Sequence, residues 1–184
     1  HLSLRRQRQM CIRDRCSTLE LDPGQIKDIL LRFEKLTALD PTNHLIWEEM
    51  LKTALNLKHT SLASDILKKA LEKLPEEDSS ALHIYGAKIY LLSGKLEESL
   101  RCLAVSLSSP KADLISIRDE LLKLSSIAPS NPEVHFLLGE TLLKLDDEEG
   151  SIESYRACIK LSSAYIEHVT EKLKELLPLS SKPY

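Results

Sequence analysis

The sequence predicts an all-α chain of about eight helices, stacked as antiparallel pairs and closed by a C-terminal capping helix. Three observations carry this expectation. Gly is scarce, five in 184 residues, while Leu supplies about a fifth of the chain, a balance that favours helix over strand. Val, Ile and Thr never alternate with polar residues over a strand length, so no strand is expected. Three stretches also share one order of bulky, small and turn residues, the mark of a repeat array.

Composition narrows the function. A hydrophobic content of 42% with only 4% aromatics predicts a real but aliphatic core. No apolar run approaches the ~20 residues of a membrane span, and no apolar h-region follows the basic start, so no membrane partner is expected. Cys11, Cys16, Cys102 and Cys158 form no CxxC and have no His at metal-ligand spacing. Free thiols of this kind fit a reducing intracellular compartment, cytoplasmic or nuclear.

Residues 1–16, HLSLRRQRQMCIRDRC, stand apart. They carry Arg5, Arg6, Arg8, Arg13 and Arg15 against Asp14 alone. Without them Lys+Arg falls from 25 to 20 and Asp+Glu from 28 to 27, moving the net charge from −3 to −7. The segment reads as a basic arm for nucleic acid, as a disordered terminus, or as foreign sequence. SLRRQRQMCIRDR resembles translated sequencing-adapter DNA, and the foreign reading is preferred here. A body at −7 repels phosphate, so nucleic acid is not an expected partner.

The first predicted helix covers residues 24–39, with Ile26, Ile29, Phe33 and Leu36 at helical spacing and Pro41 beyond it. The strongest repeat follows at 44–75, HLIWEEMLKTALNLKHTSLASDILKKALEKLP. Trp47, Met50, Ala54, Ala63, Leu67, Ala70 and Pro75 there resemble the tetratricopeptide repeat (TPR), a helix–turn–helix of 34 residues. The resemblance implies an α-solenoid in which Ala54 and Ala63 let the two helices cross closely. Leu51 departs from the pattern by replacing a small residue. A second repeat spans 80–111, with Gly86 and Ala87 at the small positions, the turn Gly94 to Leu100, and His83 where the first repeat has Trp47. A single helix follows at about 111–127, with Leu114, Ile117, Leu121 and Leu124 in phase. The third repeat spans 132–163, with Gly139, Leu142, Ser151, Tyr155 and Cys158 in register and His135 at the Trp position.

Residues 24–75 and 112–163 align at a constant offset of 88. Leu36 pairs with Leu124, Pro41 with Pro129, Asn43 with Asn131, Trp47 with His135 and Ala63 with Ser151. This reads as an internal duplication of a helix-plus-repeat unit. Residues 164–177 carry Ile166, Val169, Leu173 and Leu176 on one stripe and charge elsewhere, as a solenoid cap requires. Pro178 stops that helix, and 179–184 is expected to be a loose tail. Leu19 to Pro23 resembles the end of a repeat, so the chain is expected to be the C-terminal part of a longer solenoid.

The resemblance implies a concave groove lined by helix A of each repeat and holding a peptide or helix of a partner protein. The lining residues would be Leu45, Glu48, Lys52, Leu55 and Asn56; Ala81, Ile84, Lys88, Leu91 and Leu92; and Glu133, Phe136, Glu140, Leu143 and Lys144. For each apolar member, packing against a neighbouring helix is an even alternative. Members of the family that grip heat-shock chaperone C-termini use basic residues at particular helix A positions. Glu48, Glu133 and Leu137 occupy the corresponding places here, and acids there repel a carboxylate. That function is excluded.

No phosphate loop or HExxH exists, no cofactor is expected, and His83 and His135 read as packed core residues. Asp146, Asp147, Glu148 and Glu149 lack calcium-loop spacing and read as a solvated turn at a helix N-terminus, as do Glu76, Glu77 and Asp78. The expected function is a non-catalytic protein scaffold. The alternative is a scaffold of the related half-a-TPR class in an RNA-processing complex, suggested by Trp47 and the Ala70–Pro75 end.

Overall fold

The computed structural model describes residues 23–75 and 79–176. The basic segment with Cys11 and Cys16, the Leu19 to Asp22 stretch, the acids at 76–78 and the tail from 177 lie outside the described residues. Nine α-helices are present among the described residues, in keeping with the expected stack of about eight and a cap. They are α1 Pro23–Leu39, α2 His44–Asn56, α3 Thr60–Lys73, α4 Ser80–Leu92, α5 Leu96–Ser108, α6 Leu114–Ile127, α7 Pro132–Lys144, α8 Glu148–Leu161 and α9 Ile166–Leu176. A 3-10 turn, Ser163–Tyr165, joins α8 to α9.

Each start has a local cause. Asn43, Asp113, Asn131 and Asp147 accept backbone N–H bonds from the first turns of α2, α6, α7 and α8, satisfying donors that a helix N-terminus leaves unpaired. The turns inside the three pairs are one structure repeated. Lys58, Gly94 and Asp146 occupy the same place in each and all have positive φ, 57°, 72° and 60°. The next residue then reaches back to close the first helix: His59 N donates to Ala54 O at 3.0 Å, Lys95 N to Tyr90 O at 2.9 Å, and Asp147 N to Leu142 O at 2.9 Å. Such a left-handed residue ends helices by capturing their last carbonyls.

Packing follows the register. α2 and α3 meet through Leu51, Ala54, Ala63, Leu67 and Ala70, all buried; Leu51, large at a small position, is fully inside. In the next two pairs a serine hydroxyl bridges the crossing. Ser99 Oγ donates to Ala87 O at 2.9 Å and Ser151 Oγ to Gly139 O at 3.0 Å. Glycine at 139 is forced, because a Cβ there would lie 2.6 Å from ring carbons of the fully buried Tyr155.

Trp47 and His135, paired at an offset of 88, make the same contact. Trp47 Nε1 donates to Pro41 O at 2.9 Å, and His135 Nε2 donates to Pro129 O at 2.8 Å. His135 and His83 are half-buried rather than core residues. In α9, Val169 is buried and Leu173 packs beneath it, but Ile166, expected on the same stripe, is mostly exposed.

Neighbouring helices alternate between two layers, and contacts between helices two apart identify each layer. α2 touches α4 and α4 touches α6; α5 touches α7. One layer therefore runs α2, α4, α6, and α5 and α7 share the other.

Candidate partner-binding faces

The layer α2–α4–α6 carries the first face. Leu45, Glu48, Lys52 and Asn56 fall three or four residues apart along α2 and so share one side of it. Leu45 is 59% exposed. Glu48 is half-buried, and that burial pushes its carboxyl above the usual carboxylate range against the pull of His44. Lys52 lies 3.2 Å from Glu49 and is raised by the hydrogen bond between them.

On α4 the expected set divides. Ile84 is 5% exposed and belongs to the main core with Leu100, Leu103 and Leu121, so it is packing and not lining. Leu91 leans on the same core. Ala81 is half-buried, and Leu92 is 64% exposed. Lys88 is the polar centre of α4. Its Nζ sits 5.2 Å above the Tyr85 ring, within cation–π range. Burial, and then the charge of Glu48, pushes the Tyr85 hydroxyl up.

α6 completes this face with residues that sequence reasoning missed. Glu120 Oε1 lies 3.6 Å from Lys88 Nζ and 2.7 Å from Lys123 Nζ, and the Glu120 side chain is only 8% exposed. Two ammonium groups on one carboxylate oxygen give a buried acid the partners it requires. A signal was present: Glu120 stands in the apolar stripe of Ile117, Leu121 and Leu124, where solvation cannot explain a charge.

The third repeat does not extend this face. One unpaired helix, α6, lies between the second and third repeats, so α7 stacks in the layer of α5 and not that of α4. Lys144 Nζ donates to Leu107 O of α5 at 2.7 Å, fixing that placement. Glu133, Phe136, Glu140 and Lys144 are therefore separated from the residues of α2 and α4, where one continuous groove was expected. Two of them are also covered from within the chain. Phe136 packs on Tyr155 and Tyr165, with ring centroids 6.1 and 5.2 Å apart. Glu140 accepts the hydroxyl of Tyr155 and lies 3.9 Å from Lys172 of α9.

Other reactive groups are accounted for structurally. Asp147 accepts from Gly150 N at 3.0 Å, Glu148 and Glu149 follow in the first turn of α8, and all three are exposed. Burial raises the thiols of Cys102 and Cys158 to about 11, keeping both protonated near neutrality. Among the described residues no group of three His, Cys, Asp or Glu could hold a metal ion, and no helix is long and apolar enough to cross a membrane.

Residues 132–165, covering α7, α8 and the 3-10 turn, match the family described as the tetratricopeptide repeat. No curated protein matches the chain.

Proposed function

We propose, for a chain that carries a tetratricopeptide-type repeat at 132–165 within an all-α helical stack, that its work is non-catalytic: it holds a peptide or helix of another protein against the α2–α4–α6 face. Repeats of this kind generally serve as protein-interaction scaffolds. The supporting observation is the row of side chains across three helices of one layer: Glu48 and Lys52, then Tyr85 and Lys88, then Lys123, with the buried Glu120 carboxylate holding Lys88 and Lys123 from beneath. Exposed Leu45 and Leu92 add apolar surface on the helices that carry this row. Mixed charge with apolar contact suits a helix or extended peptide with side chains of both kinds.

The test compares partner recovery by the unaltered chain, by Lys52→Glu, and by Lys68→Glu with Lys69→Glu on the exposed side of α3. Recovery falls with the first substitution and is kept with the second pair. Equal recovery by all three would overturn the assignment of this face. A salt-dependent RNA-binding measurement on residues 17–184 checks the scaffold reading separately, and tight binding there would argue against it.

A further inference from the structure

A second distance relates parts of this chain besides the offset of 88. The helices α4, α5 and α6 begin at Ser80, Leu96 and Leu114, and α7, α8 and α9 begin at Pro132, Glu148 and Ile166, in each case 52 residues later. The match extends to single contacts. Ser99 and Ser151 make the same bridge, to Ala87 O and Gly139 O. Ile117 of α6 and its counterpart Val169 of α9 are both fully buried in the cores beside them, and Leu121 and Leu173 follow four residues on. α6 is thus seated on the α4–α5 pair as α9 is seated on the α7–α8 pair.

Charge distinguishes the two seats. Lys88 Nζ of α4 lies 3.6 Å from Glu120 Oε1 of α6. The residues 52 later are Glu140 of α7 and Lys172 of α9, and these lie 3.9 Å apart. The same two places are paired, with the signs exchanged. The exchange continues in the sequence: Lys123, 2.7 Å from Glu120, corresponds to Glu175. Apolar contact alone cannot tell α6 from α9, because Ile and Val, or Leu and Leu, fit either seat at small cost. The charges can. On the α4–α5 pair α9 would set Lys172 against Lys88, and on the α7–α8 pair α6 would set Glu120 against Glu140. Like charges at that separation, partly shielded from water, oppose both arrangements.

We infer that the sign-exchanged pairs Lys88–Glu120 and Glu140–Lys172 sort two otherwise interchangeable helices, assigning α6 and α9 each to its own seat. Without that assignment a helix of one chain could take the matching seat in a second copy, which is how swapped assemblies form. The sorting acts while the stack assembles, so it does not rest on the α2–α4–α6 face as a binding surface.

The test removes the sign difference while keeping opposite charges face to face. One half exchange, Lys88→Glu with Glu120→Lys and Lys123→Glu, gives both seats the signs of the second. The other, Glu140→Lys with Lys172→Glu and Glu175→Lys, gives both the signs of the first. The full exchange makes all six substitutions and restores the difference in reverse. Tagged and untagged full-length chains are unfolded together in urea and refolded by dilution at one protein concentration. The share of untagged chain recovered with the tag is then read beside the size-exclusion profile. Each half exchange raises that share about tenfold over the unaltered chain, the order of one attractive pair traded for a repulsive one. The full exchange returns it to the unaltered level. Because the full exchange also loses the Lys88–Tyr85 contact and the Tyr155–Glu140 hydrogen bond, its return separates sorting from local damage. Where one half exchange does not refold, the other carries the comparison. An unchanged share in the half exchanges overturns the inference. So does a full exchange that mixes as much as they do, and so does failure of the full exchange, or of both halves, to refold.

Discussion

Single residues here are constrained by neighbours one helix away. Gly139 is the clearest case: Tyr155 fills the space a Cβ would need, and its ring is held by Phe136 and its hydroxyl by Glu140. Gly139→Ala should destabilise the chain by about 1–3 kcal/mol through overpacking. Adding Tyr155→Leu, the residue type at the equivalent Leu67 and Leu103, should recover much of that loss in a thermal melt. A melt unaffected by Gly139→Ala would mean that Tyr155 can move aside. Glu48 gives a pH test. Burial raises its folded carboxyl above the ordinary 4.5, so the folded state holds the proton more tightly than the unfolded state. Stability is then greatest below that ordinary value and falls as pH rises through the raised one. Glu48→Gln should remove this fall: the variant gains on the unaltered chain as pH rises from acid toward neutrality, and the gain disappears in acid. A difference constant across that range would refute the assignment.

At the scale of elements, the turns are more alike than their sequences. Gly94 is the only glycine among three residues with positive φ at the same place, the others being Lys58 and Asp146. A side chain in this conformation costs about 1 kcal/mol. Lys58→Gly and Asp146→Gly should therefore each stabilise the fold by up to about 1 kcal/mol, while Gly94→Ala destabilises it, as measured by urea midpoints. The sequence made α2 and α3 legible because Trp47, Ala54, Ala63 and Pro75 mark spacing and ends without help from elsewhere. It also placed α6, through Ile117, Leu121 and Leu124. It could not show what α6 does to the stack, since a helix's layer depends on which partners it touches and not on its own period. For the same reason Ile84 read equally as lining or core, and only the packing of α5 and α6 against it decides. Glu120 went unread because a charge on a helix carries no label for its partner, and Lys88 is 32 residues earlier.

At the scale of the molecule, Glu120 joins α6 to α4 across the boundary between the two related halves. Glu120→Ala leaves Lys88 and Lys123 without their shared oxygen and reopens part of a buried site. It should cost about 1–3 kcal/mol, discounted from the range for fully buried pairs because both lysines reach solvent. Glu120→Gln, which keeps the shape, should cost less. If Glu120→Ala melts with the unaltered chain, the carboxylate is not what fixes α6 against α4. The layer change at α6 has a geometric consequence as well. α2 shares its layer with α4 and α6, whereas its counterpart α7 shares the other layer with α5. Surfaces of α2 and α7 that are equivalent by sequence therefore belong to opposite layers, so two identical epitopes seated on them would not lie side by side.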